Sequence, residues 1–120
     1  MKKVALYCLL FVLCLPMAAA AEWLPNFEDV PMMENIHVIE EESFVFSQSE
    51  GKIVQTTIVS EEVSRRQFQN FYSAALRELG WKRTRSTRAL QTFTRGDEEL
   101  NIEITETDPL VAQFTLTPKE

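Results

Sequence analysis

Between Val63 and Gly80 the apolar residues recur with a period close to that of an α-helix. Phe68, Phe71, Tyr72, Ala75, Leu76 and Leu79 fall at i, i+3, i+4, i+7, i+8 and i+11, one continuous stripe. Arg65, Arg66, Gln69, Asn70, Ser73, Arg77 and Glu78 lie largely off it. Ser64 with Gln67 three residues on forms a capping box, and Val63 with Phe68 a hydrophobic staple. Gly80 stands where a left-handed residue ends a helix. The pattern predicts a helix over 65–79.

Elsewhere the period is two. Phe44 and Phe46 alternate with Ser43 and Ser47, predicting a strand at 43–48. Ser49 to Lys52 is a turn, and the β-branched run at 52–59 returns as the second arm of a hairpin. After the helix, 81–87 and 89–95 read as two strands or one bent strand. Gly96-Asp97 is a turn. Leu100, Ile102 and Ile104 share one side of a strand at 99–106. Beyond the turn at Asp108-Pro109, Leu110, Ala112, Phe114 and Leu116 share one side of another, at 110–117. One-sided strands suit a sheet covered by a helix on one face and wetted on the other. The expected fold class is α+β: a small antiparallel sheet of four to five strands, order ββαββ(β), with one amphipathic helix packed on one face.

Residues 22–42 hold Pro25 and Pro31 and no sustained period, so they read as an irregular acidic arm ahead of a single domain at 43–120. Trp23, Leu24, Phe27, Met32 and Ile36 are suited to pin parts of this arm to the domain.

Residues 1–21 have a different character. Lys2 and Lys3 precede an apolar run from Val4 to Leu15, Pro16 breaks it, and Ala18 to Ala21 supply small residues for cleavage. This is the layout of a secretory signal peptide, and the run is short for a membrane span. The expectation is a periplasmic or secreted protein cut after Ala21, with no stable membrane span afterwards. Cys8 and Cys14 are the only cysteines, and both fall in the apolar run. Leu13 is too large for the small position ahead of a lipidated cysteine. The remaining chain has no thiol, so its stability must come from packing rather than disulfides.

Charge is segregated along the chain. One lysine faces ten acids over 22–64, eight Lys and Arg face one acid over 65–95, and one lysine faces seven acids over 96–120. The net charges are −9, +7 and −6, and −8 for residues 22–120. That balance opposes nucleic acid or anionic membrane as the main partner, because both need a net basic footprint. The basic middle has two readings: acidic flanks fold back over it, or it is an anion site. Trp81, Lys82, Arg83, Arg85 and Arg88, with Arg95 beyond them, are the candidate binding residues. In a regular strand Arg83 and Arg85 share one side with Trp81, where two guanidiniums can fork onto a carboxylate or phosphate. The competing role is an edge strand protected by positive charge.

No catalytic or cofactor equipment is legible. His37 is the only histidine, too few with no thiolate for a zinc site. No serine has nucleophile-elbow spacing. Glu40-Glu41-Glu42 and Asp97-Glu98-Glu99 lack the spaced oxygens and internal glycine of a calcium loop. No metal and no cofactor is expected.

The motif Phe71-Tyr72-x-x-x-Leu76-x-x-Leu79-Gly80-Trp81 follows Asp29-Val30-Pro31-x-Met33 and a hairpin with Gly51-Lys52-Ile53-Val54, and the chain closes with Phe114-x-Leu116-x-Pro118. This combination resembles a family of small exported (periplasmic) proteobacterial proteins of unassigned activity. The resemblance spans most of residues 28–118. It implies export and a compact α+β fold, and it carries over no catalytic residue. The resulting expectation is a non-enzymatic binding or accessory domain whose partner is an acidic protein or envelope component. The alternative is a carboxylate-dependent envelope enzyme, which requires a cleft holding two acids.

Overall fold

A computed structural model describes residues 22–49 and 51–118; the expected signal segment at 1–21 lies outside the described residues. The chain forms β1 (His37–Gln48), β2 (Gly51–Ser60), α1 (Arg65–Glu78), β3 (Lys82–Ser86), β4 (Leu90–Arg95), β5 (Glu98–Thr107) and β6 (Leu110–Pro118). The six strands make one antiparallel sheet in the order β1-β2-β6-β5-β4-β3. Among the described residues no helix is long and apolar enough to cross a membrane.

The helix forms where its periodicity and caps place it. The Ser64 hydroxyl accepts from the Gln67 N–H at 3.2 Å, and the Gln67 side chain accepts from the Ser64 N–H at 2.9 Å. At the other end the Trp81 N–H reaches the Leu76 carbonyl and the Gly80 N–H that of Arg77, a Schellman closure. Gly80 adopts φ +92°, which an L side chain rarely takes.

The sheet has six strands rather than four or five, in the order ββαββββ. The segment 81–95 is two strands because Thr87 turns the chain. Its hydroxyl accepts from the N–H groups of Ala89 and Leu90, and its own N–H reaches the Leu90 carbonyl.

β1 also begins earlier than expected, so the segment read as arm to residue 42 gives its last six residues to the sheet. His37–Ile39 pair with Val59–Thr57, and pairing resumes with Phe44 opposite Gln55. The residues between form a bulge, closed by the Ser43 hydroxyl donating to the Ile39 carbonyl at 3.1 Å and that of Thr57 to the Glu42 carbonyl at 3.4 Å. The bulge leaves Glu40, Glu41 and Glu42 exposed to water. It also resets the alternation. Val45 lies opposite Val54 on the α1 side, and Phe44 and Phe46 point to the far face. All three stay exposed, at 41, 44 and 59% for Phe44, Val45 and Phe46, with the two rings 5.3 Å apart.

The core lies between α1 and the sheet. Phe68, Tyr72 and Leu76 are fully buried against Phe93, Leu100, Ile102 and Phe114. Ring centroids lie 5.1 Å apart for Tyr72–Phe114 and 5.9 Å for Phe68–Phe114, both edge-on. Residues 22–36 close this core from one end. Leu24, Phe27, Val30 and Ile36 are buried in it, and a Trp23–Pro31 bridge holds the segment in a loop. The Tyr72 hydroxyl donates to the Pro31 carbonyl at 2.8 Å and accepts from the Met33 N–H at 3.2 Å.

Candidate functional site

Among the described residues β3 is a free edge of the sheet, and all five of its residues are exposed. Its alternation is interrupted. Arg83 pairs with Phe93, whereas Arg85 pairs with Thr92, with a bulge between them whose Thr84 hydroxyl donates to the Thr92 carbonyl at 3.4 Å. Phe93 and Thr92 face opposite ways, so Arg83 and Arg85 do too. The expectation that they share a side with Trp81 is therefore corrected: the extra residue at Thr84 turns Arg85 to the far face.

On the helix side, Ser73, Arg77, Trp81, Lys82, Arg83 and Phe93 line a groove of about 360 Å³ between α1 and β3, Lys82 at its rim, since it pairs with Thr94 and its side chain leaves toward the far face. Arg83 donates to the Ser73 hydroxyl at 2.9 Å, and the buried Gln91 amide donates to the same hydroxyl at 2.8 Å. This relay fixes the Arg83 guanidinium against the helix, and Arg77 stands one turn beyond Ser73 on the same helix side. Trp81 lies under the groove and is only 3% exposed. It packs on the core, so a ligand meets at most its edge. On the far face Arg85 lines a second groove with Thr84, Leu90, Thr92, Glu99 and Asn101. Arg88 stands exposed in the turn after β3, its carbonyl held by the Gln69 side chain at 3.3 Å.

Arg95 has a structural position. Its guanidinium lies 4.5 Å over the Trp81 ring, donates to the Leu79 carbonyl at 3.0 Å, pairs with Asp29 and approaches Glu98 at 3.9 Å. Asp29 is thus a contact between the acidic arm and the basic segment. Among the described residues Arg77, Lys82, Arg83, Arg85 and Arg88 have no carboxylate within 4.0 Å. Lys82 and Arg83 lie on an edge strand, the position that the competing reading of the basic stretch gave them. Arg77 and Ser73, which the sequence reading left out of the candidate set, line the same groove; their i, i+4 spacing beside the apolar stripe was the available signal.

The remaining chemistry-bearing residues stay apart. His37 is exposed beside Glu61 and Glu62 in a separate surface groove. Among the described residues no three His, Cys, Asp or Glu side chains converge as metal ligands do. Two buried polar atoms near the basic groove, Trp81 Nε1 and Gln91 Oε1, have no hydrogen-bond partner among the described residues. No family model, curated protein or solved structure matches the chain.

Proposed function

We propose that the chain is a small exported envelope protein that acts as a non-enzymatic binding or accessory domain, with an acidic protein or envelope component as its partner. The observation that carries this reading is the pair of cations, Arg77 and Arg83, that flank the groove between α1 and β3 with no carboxylate within 4.0 Å among the described residues. Charges left unpaired inside a net acidic chain are available to a carboxylate or phosphate from outside. The exposed Phe44-Val45-Phe46 segment favours an accessory role as well, because such apolar patches mark association surfaces. Carboxylate chemistry has less to draw on. The acid pairs lining the other grooves, Glu61 with Glu62 and Glu22 with Glu34, are all exposed. The resemblance to exported proteins supports location but adds no ligand.

Fluorescence anisotropy with a labelled oligoglutamate peptide tests the reading. Arg77→Gln and Arg83→Gln should each weaken binding about two- to fivefold, the scale of one exposed ion pair, with little change in the urea midpoint. Arg85→Gln, on the far face, should matter less if the groove is the site. Binding that is indifferent to both groove variants and to salt would sink the proposal.

A further inference from the structure

We infer that a second copy of this chain is a partner of the basic edge, the acidic bulge of β1 in one molecule docking beside β3 of the next. This rests on the reading of β3 as a surface for acidic partners, and it names one. Among the described residues the two free edges of the sheet are β1 and β3. β1 presents Glu40, Glu41 and Glu42, and β3 presents Lys82, Arg83 and Arg85; all six are exposed. Among the described residues none of them has an ion pair within 4.0 Å. Proteins keep sheet edges apart with charge, and charge of one sign on both edges does so for every pairing. Here the signs are opposite. Two β1 edges repel, two β3 edges repel, and β1 attracts β3.

Strand count suits the same contact. Six strands alternate in direction, so β3 runs opposite to β1. A copy shifted along the sheet therefore brings its β1 antiparallel to β3, with both helices on the same side. On the far face this places Phe44 and Phe46 of one molecule on the side that carries Lys82 and Arg85 of the other, where cationic stems can cover the exposed rings. Both edges carry bulges, which shorten any shared backbone ladder. Charge then dominates the contact, and the assembly is salt-labile. The contact is heterologous, so it extends into short chains of variable length rather than stopping at two copies.

Sedimentation of the purified protein tests this. At low ionic strength the average mass should rise with concentration, and it should fall to that of the monomer in about 1 M salt, where screening acts within about 3 Å. A variant with Glu40→Lys, Glu41→Lys and Glu42→Lys has two basic edges. One with Lys82→Glu, Arg83→Glu and Arg85→Glu has two acidic edges. Each alone should stay monomeric, and mixing them should restore association, which also shows that both are folded. A wild-type protein that is monomeric at every concentration in low salt overturns the inference, as does a mixture that fails to associate. A fixed dimer that survives both triple changes overturns it in favour of pairing through Phe44 and Phe46. If the monomeric wild type still binds oligoglutamate, the general reading stands and only the second copy falls; if it binds neither, both fall.

Discussion

The hydroxyl of Tyr72 sits where the N-terminal arm crosses the helix, and two backbone groups of that arm depend on it. Tyr72→Phe keeps the ring but leaves the Pro31 carbonyl and the Met33 N–H without this partner. The expected loss is about 1–3 kcal/mol, measured by urea melts. Burial, the larger effect, raises the hydroxyl's pKa above its ordinary value, while the hydrogen bond from Met33 lowers it. The folded state therefore holds this proton more tightly than the unfolded chain does. The contribution is fully present below the unfolded value near 10 and is lost as pH rises from there toward the folded value. Melts between neutral and strongly alkaline pH should show stability falling beyond about 10, less steeply in Tyr72→Phe. An equal fall in both proteins would mean that another group is responsible.

At the scale of the helix, burial ranks the stripe residues. Leu76 is fully buried, whereas Phe71 is only partly so. Leu76→Ala should cost about 2–5 kcal/mol, Phe71→Ala distinctly less, and Arg66→Ala on the exposed side under about 0.5 kcal/mol. Ser64→Ala, which opens the capping box, should cost about 1 kcal/mol. A urea series that ranks Phe71→Ala above Leu76→Ala would contradict this packing. The helix was legible because its signals are local: an apolar period, a cap at Ser64, a stop at Gly80. β5 and β6 were legible because their alternation is regular. The second half of β1 was legible as a strand at 43–48, but its first half was not, because three consecutive glutamates bulge out and shift the count between Ile39 and Phe44. The same happened at Thr84, which separated Arg83 from Arg85. A period of two predicts sides only while the ladder is unbroken. At the candidate site, the basic residues of β3 were legible as a group, but Arg77 and Ser73 join them only through the packing of α1 on the sheet.

The whole molecule depends on its arm more than on its visible ion pair. Asp29 and Arg95 are both partly exposed, so Asp29→Asn should change stability by about 0.2–1 kcal/mol at most. Removing residues 22–33 instead uncovers the pocket filled by Leu24, Phe27 and Val30. Each such side chain contributes about 1.5–3 kcal/mol, and their sum is comparable with the whole stability of a small domain, about 5–15 kcal/mol. The truncated protein should be largely unfolded by circular dichroism, and a cooperative melt close to the intact one would overturn this account of the arm. The order of the strands bears on how the molecule is made. Among the described residues β6 comes after every other strand, yet it stands in the interior of the sheet, joining the β1–β2 hairpin to the β5–β4–β3 meander. Without β6 the β1–β2 hairpin and the β5–β4–β3 meander share no ladder, so a growing chain can close this sheet only once that strand has been made.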